Sequence, residues 1–253
     1  MERPKLEARL AEYPAIACCL GRHYRVLADR GLLAADLLPL DWRATEAALA
    51  RVVEQVEGFH AHWQQVPARP QWARADLFAA LAEIEGFTVL LDKGIGRVHA
   101  LAFHPTRGGG APDALVRTAD GIRLYEMKSL WAYVEKRKQH LQRLPGGAYA
   151  FGPHKRGRPP PGYCGVAQRN TTVLYQALAA LLRTAARQLN AYAAHCGHPD
   201  CQRWVMLVVT QCRPILGTVE AGRELAREWL QRHPGAATGI VWVAGKDTVT
   251  ELT

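Results

Sequence analysis

Two carboxylates and an ammonium, Asp113, Glu126 and Lys128, have the types and spacing that metal-assisted chemistry requires. Residues 114–118 read as a short strand and residues 122–129 as a second. Asp120-Gly121 between them is a strong two-residue hairpin signal, because both central positions of a type I′ turn need positive φ. With that loop, Ala119 faces Ile122, Leu115 faces Glu126 and Asp113 faces Lys128. Opposed residues share a face, as do residues two apart on a strand, so the three polar groups project from one side at one end of the sheet. A slip of one residue would send Asp113 to the other face. Two acids and a lysine on half-buried strands are costly unless compensated, and a divalent cation between the carboxylates compensates them. The competing reading is a solvated hairpin with a surface Glu–Lys pair.

The flanking segments must position this hairpin. Residues 72–85 read as a helix with Leu77, Phe78, Leu81 and Ile84 as its apolar stripe and Gly86 as its stop. Residues 87–91 then read as a first strand and 97–104 as a further one. The loop 105–110, with three consecutive glycines, allows close approach of a phosphate but lacks the strand–GxxxxGK[ST]–helix order of a nucleotide loop. Beyond the hairpin, 171–194 reads as a long amphipathic helix, 204–210 as a buried strand, 220–232 as a helix and 239–244 as a final strand. Upstream, 16–33 and 45–65 read as helices, the second with one stripe of Leu49, Val52, Val53, Val56, Phe59 and Trp63. Pro67-Ala68-Arg69-Pro70 is a joint that no helix crosses readily. The expected organisation is a helical region over 1–70 and a main domain over 71–253.

Pro112-Asp113, twelve intervening residues and Glu126-Met127-Lys128 together resemble the PD-(D/E)XK nuclease superfamily. Gln188 and Tyr192, four apart on the long helix, resemble the Gln-x-x-x-Tyr pair of its RecB-like branch. The resemblance covers about residues 72–210. It implies an α/β fold with a restriction-endonuclease-like α-β-β-β-α-β core and mixed sheet. It also implies Asp113, Glu126 and the Met127 carbonyl as ligands of Mg²⁺ or Mn²⁺, and Lys128 as the catalytic ammonium. Gln188 and Tyr192 would help arrange the site. Many members carry a further acid on the first helix, for which Asp76 is preferred and Glu83 comes second. A solvated helix acid is an equal alternative for either.

The formal net charge is +9, which favours an anionic partner. Between residues 131 and 170 stand eight Lys or Arg and one acid, Glu135, so one segment holds most of the surplus. Lys136, Arg137, Lys138, Lys155, Arg156 and Arg158, set among Tyr149, Phe151 and Tyr163, suit a single strand or frayed DNA end. Arg183 and Arg187 suit phosphate contacts or an ordinary helix surface equally. His195, Cys196, His198, Cys201 and Cys212 match no standard zinc spacing, and soft ligands this close still leave zinc as an alternative. No apolar run reaches the length of a membrane span, and six cysteines without small-domain spacing fit reduced thiols, so a soluble, cytoplasmic protein is expected. The expected activity is metal-dependent DNA hydrolysis in repair, defence or mobile-element processing. The alternatives are an inactive nucleic-acid binder and a nuclease subunit docking partners through its N-terminal helices.

Overall fold

The computed structural model describes residues 2–102, 111–137, 141–143, 149–151, 166–196, 199–209, 219–245 and 248–253. The first layer is helical: α1 (Arg3–Ala11), α2 (Pro14–Cys19), α3 (Gly21–Asp29), α4 (Trp42–Gln55), α5 (Phe59–Trp63) and the long α6 (Ala73–Lys93). Then come β1 (Arg97–Ala100), β2 (Ala114–Thr118), β3 (Gly121–Ser129), α7 (Leu130–Arg137), β4 (Leu141–Arg143), β5 (Tyr149–Phe151) and α8 (Val166–His195). The chain closes with β6 (Gln202–Val208), α9 (Val219–Arg232), β7 (Gly239–Val243) and β8 (Val249–Leu252). Six strands form one sheet in the order β1-β2-β3-β6-β7-β8; β4 and β5 pair separately. The pairs β3/β6 and β6/β7 are parallel, each with a helical crossover, and the outer pairs are antiparallel. The fold is therefore α/β with a mixed sheet. No helix among the described residues is long and apolar enough to cross a membrane.

Alternation along the strands feeds two cores. Tyr125 and Met127 of β3, with Met206 and Val241, join one continuous cluster with α6 and the N-terminal helices. Leu124, Leu207 and Trp242 join a second cluster with α8 and α9. Residues 1–70 thus share their core with α6 and one face of the sheet.

Four expectations need correction. Residues 87–91 are helix, not strand, because α6 passes through Gly86 and stops only before Gly94. The glycine is there for space: a Cβ would lie 2.4 Å from Met127 Sδ and 3.0 Å from Met206 Sδ, so α6 rests directly on the sheet. Gly86→Leu, which keeps helix propensity, is expected to lower unfolding free energy by about 1–3 kcal/mol through overpacking, read by urea titration. A midpoint equal to wild type would refute the close approach.

Residues 45–65 are two helices, not one. The chain leaves α4 at Val56, and Gly58 takes φ +75° to begin α5. A Cβ on Gly58 would meet the Ala100 carbonyl at 2.8 Å. Residues 16–33 likewise divide into α2 and α3.

The hairpin pairs two residues out of the expected register, with Thr118 opposite Gly121, Ala114 opposite Tyr125 and Leu115 opposite Leu124. The loop is Ala119-Asp120; neither has positive φ, and Gly121 alone takes it, at +129°. The I′ turn is thereby replaced by a turn followed by a glycine of positive φ. Asp120 N–H and the Gly121 carbonyl both bond the Thr118 hydroxyl, which stabilises this alternative. A shift of two preserves which face each side chain takes. Asp113 therefore stays on the Glu126 face and faces Glu126 rather than Lys128.

Candidate active site

β2 begins at Ala114, so β3 runs past it: Tyr125 is the last residue paired with β2, whereas Glu126 to Ser129 pair only with β6. The sheet forks there. Asp113, just ahead of β2, fills the fork by accepting the Met127 backbone N–H on Oδ2 at 2.6 Å. Its own carbonyl accepts from Leu101 N at 3.0 Å. The strand N–H left without a ladder partner thus fixes the Asp113 carboxylate. Glu126, 1 % exposed, and Lys128 are hydrogen-bonded to each other on the same strand. Asp113, Glu126 and Lys128 do converge, as the sequence spacing suggests.

Two further groups reach the fork from the helical layer. Glu83 comes from α6 and His62 from α5. Ligand atoms of His62, Glu83 and Asp113 all lie within 4.8 Å of one another. His62 Nε2 is 3.0 Å from Glu83 Oε2, and His62 Nδ1 is 2.8 Å from the Leu101 carbonyl. Both ring nitrogens face oxygen acceptors, so both donate and the ring is an imidazolium here. Burial alone would lower its pKa, but the Glu83 hydrogen bond and charge, with the Asp113 charge, raise it to about 9. The Nδ1–H bond to a backbone carbonyl is also the contact that orients a metal-ligating histidine, leaving Nε2 free once deprotonated.

α5 is fastened to the sheet edge by two backbone bonds, Glu57 N–H to the Val98 carbonyl at 3.1 Å and Ala100 N–H to the Glu57 carbonyl at 2.8 Å. These bonds and the Gly58 turn set the position of His62. Sequence reading missed His62 because it lay in a stretch taken for one apolar-striped helix. Gly58 within that stripe is the one local sign of a break.

Burial, then the charges of Glu126 and Glu83, push the Asp113 carboxyl well above the usual range. Burial raises Glu126 too, against the pull of Lys128. Burial would lower Lys128, but Glu126 and Asp113 hold it above its ordinary value, so it stays an ammonium. Three carboxylates thus share the fork with two cations, and Glu126 Oε2 is buried without a hydrogen-bond partner. An excess of negative charge, an orphaned carboxylate oxygen and a compact donor set all fit a divalent cation. Bond lengths of about 2.1 Å place opposite ligands ~4.2 Å apart, so the His62–Glu83–Asp113 group needs little movement to close.

The preference for Asp76 over Glu83 is corrected. Asp76 is fully buried and bound to Arg69, whose N, Nε and NH2 groups donate to its carboxylate at 2.9, 3.0 and 2.9 Å. It ties the 67–70 joint to the first turn of α6, two turns before Glu83. Asp76→Asn is expected to lose stability, about 2–4 kcal/mol, with Mn²⁺ binding retained, whereas Glu83→Gln keeps the fold and weakens Mn²⁺. Urea titration and Mn²⁺ calorimetry on both variants check this; loss of Mn²⁺ binding in Asp76→Asn alone would reverse the assignment.

The Met127 side chain packs toward Gly86, on the face opposite Glu126, and its backbone N–H is engaged by Asp113. Gln188 and Tyr192 lie half-buried, one turn apart on α8, and the Tyr192 hydroxyl bonds the Cys196 thiol rather than the acidic cluster. Arg183 and Arg187 are exposed. His99 pairs with Glu57 at 3.2 Å. Among the described residues, His62, Glu83 and Asp113 are the group brought together with metal-ligating geometry. His198 and Cys212 of the alternative zinc set lie outside the described residues, as do His104, the triple glycine, Lys138, Lys155, Arg156 and Arg158. Lys136 and Arg137 belong to α7, and their side chains are not described. Comparison with known protein families, with characterised proteins and with solved structures finds no match to this chain.

Proposed function

We propose that the chain is a divalent-metal-dependent nuclease hydrolysing phosphodiester bonds of DNA, on a restriction-endonuclease-like α-β-β-β-α-β core. The observation that carries this reading is the meeting of His62, Glu83 and Asp113 beside the Glu126–Lys128 pair in one fork of the sheet. The order α6, β1, β2, β3, α8, β6, with α7 and the β4–β5 pair inserted, supports the core. The positive surplus supports a polyanionic substrate.

Glu83, Asp113, Glu126 and His62 Nε2 would hold Mg²⁺ or Mn²⁺, with the Met127 carbonyl as the resemblance implies. When bound, such an ion polarises the scissile phosphate and acidifies an attacking water. The chain's own groups do the rest. Met127 N–H holds the Asp113 carboxylate in one orientation. The Leu101 carbonyl holds the His62 tautomer. Lys128, kept cationic, orients the nucleophile and offsets charge developing on the phosphoryl oxygens; its raised pKa argues against a role as base. Glu126 Oε2 is the free carboxylate atom beside it, ready to take a proton or a cation.

The test is cleavage of single-stranded DNA, duplex DNA and RNA in Mg²⁺, Mn²⁺ or EDTA. DNA is expected to be cut in either metal and in neither case with EDTA. Binding of DNA without cleavage in either metal would replace the nuclease by a nucleic-acid-binding protein.

A further inference from the structure

A cavity of about 390 Å³ opens between the helical layer and α7. Its walls include Tyr24 from α3, Arg74, Phe78 and Leu81 from α6, and Trp131 from α7, with exposed Asp36 at its mouth. One polar group of the wall is unused. Arg74 Nε is buried with no hydrogen-bond partner, and no carboxylate among the described residues pairs with its guanidinium. Tyr24, 1 % exposed, contributes to the same wall. A half-buried guanidinium without a counter-charge loses solvation unless a ligand supplies acceptors. The remaining wall is flat and apolar: Phe78 and Trp131 meet edge to face, centroids 5.7 Å apart at 80°. The volume suits a ligand of one or two rings.

The cavity shares two elements with the acidic fork. Phe78 precedes Glu83 by five residues on α6, and Trp131 follows Lys128 by three, across the Ser129 cap that accepts Ala132 N–H at 3.1 Å. Both therefore draw on α6 and on the junction of β3 with α7.

We infer that the cavity receives the terminal nucleoside monophosphate of a DNA strand, its phosphate on Arg74 and the Tyr24 hydroxyl and its base against Trp131 and Phe78. The inference rests on the nuclease reading and extends it: the enzyme engages strand ends. Asp36 at the mouth accepts from a base N–H or a sugar hydroxyl.

The test has two arms. Calorimetry in EDTA uses thymidine 5′-monophosphate, thymidine 3′-monophosphate and thymidine. At least one monophosphate is expected to bind, thymidine at least about tenfold more weakly, because charge-assisted bonds to Arg74 are lost. Arg74→Leu is expected to weaken the monophosphate about tenfold or more with an unchanged melting temperature, since no carboxylate among the described residues pairs with Arg74. Tyr24→Phe, which removes one hydroxyl, keeps the test decisive should Arg74→Leu not fold. No saturable binding of either monophosphate, or wild-type affinity in the folded variants, overturns the site. The second arm compares linear with circular single-stranded DNA in Mn²⁺. Linear DNA is expected to be degraded and circular DNA spared; equal rates overturn the engagement of ends while leaving the nuclease intact. Arg74-dependent monophosphate binding with cleavage of neither DNA supports the nucleotide site and fails the nuclease reading alone.

Discussion

Glu126→Gln is expected to lower Mn²⁺-dependent cleavage of DNA by ~10²-fold or more while leaving the melting temperature of the metal-free protein unchanged or raised. The substitution keeps shape and one hydrogen-bond acceptor for Lys128, and it removes a charge from a fork that already holds three carboxylates. Glu126 is 1 % exposed, with Oε2 unpartnered, so its charged form is poorly solvated without a cation. Neutralising it relieves the metal-free fold and withdraws a ligand from the loaded one. Asp113→Asn is expected to behave alike, with Met127 N–H still bound to the amide oxygen. Lys128→Ala also abolishes cleavage but leaves Glu126 buried without its counter-charge, so it destabilises as well. Full activity in Glu126→Gln defeats the assignment.

The affinity for Mn²⁺ is expected to rise steeply with pH, and His62→Gln is expected to flatten that rise. His62, raised to about 9 by Glu83 and Asp113 against its burial, is protonated at neutrality and must shed the Nε2 proton to ligate. Between pH 7 and 9 the dissociation constant should tighten by about tenfold per unit for that displaced proton. Because a nitrogen donor suits Mn²⁺ better than Mg²⁺, Mn²⁺ should bind more tightly. His62→Gln should weaken it by at least the ~10- to 100-fold that loss of an outer-shell partner costs.

The metal-free protein shows the converse. The folded pKa of His62 lies above its unfolded value, so its contribution is complete below about 6.5 and is lost as pH rises through about 9. Asp113 and Glu126 are raised as well, so the folded state again holds more protons and stability again falls with rising pH. The melting temperature in EDTA should drop from pH 6 to 9, and the increment from added Mn²⁺ should grow across the same window. An increment that shrinks with pH, or a His62→Gln protein with the wild-type profile, would remove His62 from the metal set.

The legible part of the site was the part written in period-two alternation. Asp113, Glu126 and Lys128 sit close enough in sequence that one hairpin brings them together. Their common face survived even a misread turn, because the register moved by two and parity is all that face assignment needs. The turn was misread because Asp120-Gly121 fits two loops. Which one forms depends on the Thr118 hydroxyl bonds and the single positive φ at Gly121, not on the dipeptide. Gly86 was misread for a related reason: in sequence a glycine after an apolar stripe is a stop, and only Met127 and Met206 on the sheet below reveal it as a point of contact.

The sequence by itself determined the α/β class, the hairpin with its two acids and lysine, the long helix α8 and the buried strands β6 and β7, since each follows from local periodicity and charge. Only the tertiary structure decided that Glu83 rather than Asp76 reaches the fork, that His62 arrives from the N-terminal helices, and that Arg74 and Tyr24 share a cavity. Two acids seven residues apart lie on nearly the same face of a helix, and nothing within that helix says which end abuts the sheet. That is fixed by Arg69 closing over one and by the sheet edge, through Glu57, Val98 and Ala100, carrying a histidine to the other.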